Sequence, residues 1–589
     1  MISTGSSTGS RLDALNRPGR PSGPGRQGGV GAVAPGAADR DRPAGRQAPT
    51  RLRLVVLAAY AAAVAVDAAV TVVRLRIARG AQFAGHADPS FYYQLARNLA
   101  QGRGLTVDFV WHYLTMPPDV HHYALDYWQP LPSLLLAAAM RAGGDTRLAT
   151  ALTATVLAAA LVPVAAALLA RTLSGHALVP PVAMGLTALV PQLSSFSVGA
   201  ESGPFYAVFV LLTLALACAR TRSRLRWPLA GITAGGAYLC RNDGLLLIAL
   251  LAVALAARAL AAWRRDRRVP WARAADLGLF CAAAAVTVAP SLWANLRGMG
   301  RLLPATTRLP WLVTYEDMFA VGHRDGLRAV LADGPGTALA IRSERGFSQL
   351  QLLVTRELGI VLTLCLLVLL LARLVAHLRS RRGRPRAGRD RFGWPLVAAS
   401  AALTLAFHAL VTPVASASGG WRRSLVAYLP VLTIAVVELV FWATRPRLLR
   451  VGRAAAVAAL ALPGLLAVHS APQLVLDNNN AAGMRMLAVG QLLREASPIG
   501  RPVVMARNTW ELTEVTGFPA VQIPNNDLCT ILRTAQRFRA RLLVLPADRP
   551  ALADPAALRA AGFTLAARRG GPEIWRIPAP DRACRAAAP

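Results

Sequence analysis

Two acids and three arginines have the types and surroundings to do chemistry together. Asp88 lies in HADPSFYYQLARNLAQGRGL, residues 86–105, and Glu201 lies in VGAESGPFYAVF. Arg241 precedes Asn242 and Asp243 in YLCRNDGLLLI, and Arg422 and Arg423 stand in SGGWRRSLVAYLP. Each of these polar stretches abuts a strongly apolar run. A carboxylate there can take the proton of an acceptor hydroxyl. A guanidinium can hold a phosphate through two parallel N–H groups. A base together with a phosphate clamp is the equipment for moving a group from a phosphate-linked donor onto a hydroxyl.

Each residue also has a plainer reading. Asp88 precedes Pro89 and suits the N-cap of a helix with proline at N1. Phe91, Leu95 and Leu99 then share one face of an interfacial helix. Such a cap still leaves one carboxylate oxygen free. Glu201 reads either as a solvated loop acid or as a carboxylate facing an aqueous cavity at the end of a span. Arg241 to Asp243 read either as a tight turn with an internal salt bridge or as an anion site. Asp126, in ALDYWQPLPS, is by default a loop acid. Asp67 lies inside the first apolar run, where it either snorkels or reaches Arg74. His86, His121 and His122 form no recognisable metal constellation. No phosphate-cradling glycine loop or nucleotide motif is found.

The elements that must position these residues are membrane helices. The chain has 589 residues, of which 54% are hydrophobic, and its mean hydropathy is +0.41. Several windows of about 20 residues carry almost no charge, which indicates a polytopic membrane protein. The formal charge of +35 comes from 65 basic residues, all of them arginine. They gather at the ends of apolar segments, as the positive-inside rule expects, so nucleic acid is not an expected partner. Exclusive use of arginine points to a GC-rich bacterial genome.

Apolar segments fall roughly at 54–73, 147–170, 177–193, 203–220, 227–240, 244–262, 275–295, 356–377, 394–412, 424–443 and 454–469. Placing the arginine-dense loops inside gives about eleven spans, with the N-terminus in and the C-terminus out. PLPSLLLAAAM, residues 130–140, is short for a span and would invert every later loop. It is expected to be half-embedded or interfacial on the outer side. Residues 1–50 are rich in Gly, Pro, Ala, Ser and Arg and are expected to be a disordered cytoplasmic tail, not a signal peptide. Residues 51–469 form the transmembrane domain, with outer loops at 78–146 and 296–355. Residues 470–589 alternate strand-like runs (PVVMA, RLLVLP) with the amphipathic NDLCTILRTAQRFRA and are expected to be a small extracytoplasmic α/β domain. Four cysteines lie in or beside apolar segments without metal spacing. Cys529 and Cys584 could pair if that domain faces an oxidising compartment.

The layout resembles the GT-C superfamily of integral membrane glycosyltransferases, especially bacterial members such as the dolichyl-phosphate-mannose-protein mannosyltransferases and the aminoarabinose transferases of lipid A. The likeness is carried by order: ADPSFYYQLARNLAQGRGL after the first span, then YWQPLPSLLLAA, then AESGPFYAVFVLLTLALA, then AGITAGGAYLCRNDGLLL, and an outer C-terminal piece. It covers most of residues 50–550. It implies a mainly α transmembrane bundle of GT-C type. It implies transfer of a hexosyl or pentosyl group from a polyprenyl-phosphate sugar to an envelope acceptor (glycan, lipid or protein), at the outer face of a bacterial inner membrane. Asp88 would be the catalytic base and Glu201 a second active-site acid. Arg241, with Arg422 or Arg423, would hold the phosphate, and Tyr92, Asp126 and Asp243 would complete the substrate site. A metal site is not specified, because some members of the group use a divalent ion and others do not. The chain departs from many relatives in lacking a paired acid beside Asp88 and in having Gln129-Pro130-Leu131-Pro132 where they have Lys-Pro-Pro. Two other functions suit the same scaffold: a transporter or lipid flippase, and a non-catalytic envelope-assembly protein. Acids outside mid-membrane and the lack of an internal repeat count against transport.

Overall fold

A computed structural model describes residues 50–352, 355 and 393–579, apart from 222, 323–325, 333, 416–419, 445–449, 547–548 and 570–571. The expected tail, but for Thr50, and the span expected at 356–377 lie outside the described residues. The contacts below lie within one compact unit, Leu54–Pro589.

Six of the described helices are long and apolar enough to cross a membrane, and four shorter apolar helices accompany them. The first of the long ones, α1 (Thr50–Ala78), has 29 residues, about 44 Å at 1.5 Å per residue. Two short helices follow, α2 (Ala87–Ala100) and α3 (Leu131–Gly143). They pack on each other, and α3 also packs on the long helix α4 (Leu148–Leu173). The 13 residues of α3 span only about 20 Å, short of a bilayer core. The apolar run at 177–193 is two helices instead of one, α5 (Val179–Ala188) and α6 (Pro191–Ser197). Pro191 explains the break: the residue before a proline is pushed out of the helical region, and Val190 is extended.

Next come α7 (Gly203–Cys218), α8 (Arg226–Cys240), α9 (Gly244–Asp266) and α10 (Trp271–Met299). Gly231 and Gly235 let α8 lie directly on α10. A Cβ at Gly231 would come 2.3 Å from the Phe280 carbonyl oxygen, and one at Gly235 2.7 Å from Thr287 Cβ. Small residues four apart are what close helix packing in a membrane requires. Helix Gly393–Ala406 runs into a π turn, Phe407–Val411, and short helix Trp421–Leu425 precedes Leu429–Ala443.

Arg74 has a structural reason to sit near the end of the first span. It is fully buried and donates to Ser194 Oγ (3.0 Å) and to the Ala188 carbonyl (2.8 Å). That carbonyl belongs to the last turn of α5, which has no partner within its own helix. Asp67, seven residues earlier on the same face of α1, is buried with it.

Helix Arg450–Ala496 is 47 residues long, about 70 Å, and leads from the membrane bundle into the α/β region, across the expected boundary at 469/470. That region contains a six-stranded sheet in the order β2-β5-β4-β6-β8-β7. Strands β4 (Val503–Ala506), β5 (Ala520–Gln522) and β6 (Ala540–Val544) run parallel, while β7 (Thr564–Arg568) and β8 (Glu573–Arg576) run antiparallel. The edge strand β2 (Phe109–Val110) comes from the loop expected at 78–146 and pairs parallel with β5. In the same loop β1 (Thr106–Val107) pairs with β3 (His122–Tyr123).

Cys529 is disulfide-bonded, and Cys584, the residue that could pair with it, lies outside the described residues. In membrane vesicles, a maleimide that cannot cross the bilayer is expected to label Cys529 only after reduction. Labelling without reductant would contradict the bond.

Glu514, on helix Thr509–Thr516, is pushed up to about 7 by burial, against the opposing effect of the Ala84 N–H it accepts. The folded state therefore holds its proton more tightly than the unfolded chain does. This contribution to stability is complete below the ordinary glutamate range and is lost as pH rises through about 7. Glu514→Gln is expected to unfold at a higher temperature than wild type at about pH 8, with the gap closing toward about pH 5. Parallel melting curves across that range would contradict the assignment.

Candidate functional site

Asp88, Arg241, Asp243 and Arg423 meet at one cavity of about 390 Å³, at the end of the bundle where α8 finishes and α9 begins. Asp88 reaches it from the first turn of α2. The helix starts two residues earlier than the Asp88 N-cap reading expects. His86 is the N-cap residue and makes no side-chain cap bond, and the Asp88 carboxylate faces a cation instead. Its Oδ2 lies 3.3 Å from Arg423 Nε.

Arg423 is the hub. Its guanidinium forks onto Glu201, with Nε donating to Oε2 at 2.7 Å and Nη2 to Oε1 at 3.2 Å. His86 Nε2 lies 3.5 Å from Nη2. Burial lowers the Arg423 pKa, but Asp88 and Glu201 outweigh it and push it up, so the cation is fixed. Glu201 is buried behind Arg423 and does not line the cavity. Arg422, one residue earlier, is exposed and does not line it either.

Arg241 is held on three sides. It donates from Nε to Asp243 Oδ2 (3.0 Å), from Nη1 to Ser202 Oγ (3.3 Å) and from Nη2 to the Gly420 carbonyl (3.0 Å). Burial would raise the Asp243 carboxyl, but Arg241, His408 and Ser424 outweigh it and hold it well below the usual carboxylate range. This stretch is a turn with an internal ion pair, at a cavity wall. Tyr92 lines the cavity one helical turn after Asp88, and burial and the Asp88 charge push its phenol up. Asp126 is elsewhere. It is buried, accepts from Thr115 Oγ (2.7 Å) and lies 3.3 Å from His112 Nε2. Burial raises its carboxyl, but His112, His122 and Thr115 outweigh it and hold it low. It ties the first loop together and does not line the cavity.

Three further groups line the cavity, and the sequence assigns none of them a role of its own. His408 is presented by the π turn, an irregularity common at functional sites. Its Nε2 lies 3.4 Å from Asp243 Oδ2 and 3.1 Å from Ser424 Oγ. Asn242 accepts from Gln129 Nε2 at 2.5 Å and donates to the Tyr127 carbonyl at 3.3 Å. Trp111 stacks on Trp128, ring centroids 4.5 Å apart, to form an aromatic wall. Only a run of aromatics in YYQ and DYW hints at that wall.

The residues do not fit a resident divalent ion. Among the described residues no group of three or more His, Cys, Asp or Glu side chains could hold one. The Arg423 guanidinium already pairs with both Asp88 and Glu201.

Neither a family model nor a curated protein matches the chain. Solved structures do. ArnT from Cupriavidus metallidurans bound to undecaprenyl phosphate is similar with a TM-score of 0.51 at 14% identity, over 90% of this chain and 99% of that one. The Archaeoglobus fulgidus oligosaccharyltransferase in complex with Zn and sulfate is similar with a TM-score of 0.50 at 15% identity, over 81% of this chain and 67% of that one. The fold is that of these two structures: a mainly helical membrane scaffold with a small sheet region at its C-terminal end.

Proposed function

We propose that this protein moves a sugar from a polyprenyl-phosphate donor to a hydroxyl of an envelope acceptor, at the outer face of a bacterial inner membrane. The observation that carries this reading is a carboxylate, Asp88, sharing a cavity with two braced guanidinium groups, the half-buried Arg241 and the buried Arg423. Asp88 takes the proton of the acceptor hydroxyl as its oxygen attacks the anomeric carbon. The bond from that carbon to the phosphate oxygen breaks, and the phosphate leaves on the lipid. Arg241 and Arg423 neutralise the charge that develops there. Asp243 and Glu201 orient the two arginines and take no part in bond-making. The undecaprenyl phosphate named for the similar ArnT structure suits this donor class.

The orientation has its own support. Arg171, Arg264 and Arg265 stand in the last turns of α4 and α9, at the end of the bundle away from the cavity, where the positive-inside rule expects the cytoplasm. A disulfide at Cys529 suits an oxidising compartment.

The test is transfer by purified protein in lipid, from a radiolabelled polyprenyl-phosphate sugar to an envelope extract. Label is expected in the extract at the same rate with and without EDTA, because Arg423 already supplies the cation between the two acids. A rate abolished by EDTA and restored by a divalent ion would contradict the metal-free site. Absence of transfer from every donor sugar would contradict the function.

A further inference from the structure

The connector between α1 and α2, residues 79–86, forms neither helix nor strand, yet it leads directly into Asp88. An irregular segment must find partners for its backbone polar groups, and this one finds them in the C-terminal part of the chain. The Gln82 and Phe83 N–H groups donate to Asn480 Oδ1 (3.1 and 3.4 Å). Asn480 Nδ2 donates to the Gly80 carbonyl (3.1 Å), and Asn479 Nδ2 to the Ala84 carbonyl (3.2 Å). The Ala84 N–H donates to Glu514 Oε1 (2.7 Å). The fit leaves no room for side chains at two glycines. Gly85 has φ +88°, and a Cβ there would lie 2.3 Å from Asn479 Oδ1. A Cβ at Gly483 would lie 2.0 Å from the Phe83 ring.

The far side of Asp88 is anchored to the same region. Ser90 Oγ and Gln94 Nε2 both donate to the Trp510 carbonyl, at 3.1 and 2.8 Å. Trp510 and Glu514 share helix Thr509–Thr516. Asp88 therefore lies between two sets of bonds made by the C-terminal segment, while the start of its own helix lacks a side-chain cap.

We propose that Asn479, Asn480 and Glu514 are positioning residues, a clasp through which the C-terminal segment sets the backbone before Asp88 and so aims its carboxylate into the cavity. The clasp does not touch the cavity itself. It gives the long helix Arg450–Ala496 and the α/β region a direct part in the reaction geometry. This inference rests on the proposed role of Asp88.

The test uses the full chain in lipid nanodiscs with Asn480→Ala, Glu514→Ala, Glu514→Gln and Asp88→Asn. Loss of the clasp is expected to lower kcat on the order of 10- to 100-fold, the scale of an ångström-level misplacement. The KM for the lipid donor should stay within about twofold, since the arginines are untouched. Amide exchange over residues 80–92 should quicken in Asn480→Ala and Glu514→Ala. Glu514→Gln keeps an acceptor for the Ala84 N–H and should restore kcat. Wild-type kcat in both alanine variants, with Asp88→Asn inactive, would overturn the clasp. So would kcat, donor KM and unfolding temperature failing together, which marks a merely structural role. Wild-type transfer by Asp88→Asn would instead overturn the base assignment, so the two failures are told apart by that one variant.

Discussion

Asp88→Asn is expected to remain folded and to lose transfer by on the order of a hundredfold to ten-thousandfold. The substitution keeps the side chain's shape and one oxygen for Arg423, but removes the basic atom that would receive the acceptor proton. Folding should be little affected for two reasons. The Asp88 side chain does not cap its helix, and Arg423 remains forked onto Glu201 at 2.7 and 3.2 Å. The loss should therefore appear in kcat and in kcat/KM alike, with the donor still bound. Transfer rates of wild type and variant in the same lipid, with unfolding curves for both, check it. Wild-type turnover by the variant would show that the base is not Asp88.

The second large effect is expected at Arg423. In Arg423→Ala, Glu201 stays buried without its partner, and Asp88 loses its nearest cation. Breaking a buried pair in this way costs about 3–5 kcal/mol of stability, so loss of activity would come with loss of folded protein. Arg423→Lys separates the two consequences. It keeps the charge but cannot present the planar fork that Glu201 accepts. It should fold, and should lose at least about tenfold in kcat/KM for the lipid donor. Arg422→Ala, at the exposed neighbour, should cost less stability than Arg423→Ala. Thermal unfolding and donor kinetics of the three variants decide the matter. Equal behaviour of Arg422→Ala and Arg423→Ala would contradict the place given to Arg423.

The contrast between these neighbouring arginines shows where sequence reading stops. Composition and apolar runs are local properties, and they mark nearly every described membrane helix, because length and lack of charge suffice for that. They fail at 177–193, where apolar content continues through Val190 while Pro191 bends the backbone. The Asp-Pro pair reads as a cap, but helix geometry alone does not reveal that the carboxylate has a cation to face. That cation is 335 residues further along the chain (423 − 88). Which of Arg422 and Arg423 turns inward depends on the rotation of a five-residue helix and leaves no trace in the residue types. Asp126 resembles Asp88 in the sequence, an acid shortly before aromatics, yet His112 and Thr115 enclose it away from the cavity. His408 lies in an apolar run and reaches the site only through a π turn. The strand at 109–110 is too short to signal itself and exists because β5 offers it an edge. Asn479 and Asn480 read as polar residues on a long helix, and their partners lie about four hundred residues away.

The most direct measurement of the central claim is on the lipid product. Wild-type protein in nanodiscs, given a polyprenyl-phosphate sugar and acceptor extract, is followed by mass spectrometry of the lipid alongside the label in the extract. Free polyprenyl monophosphate is expected to appear in step with transferred sugar, one for one, with neither formed by Asp88→Asn. A donor lipid that stays intact while it crosses the bilayer of reconstituted vesicles, with no sugar–phosphate bond broken, would contradict it and make the protein a transporter.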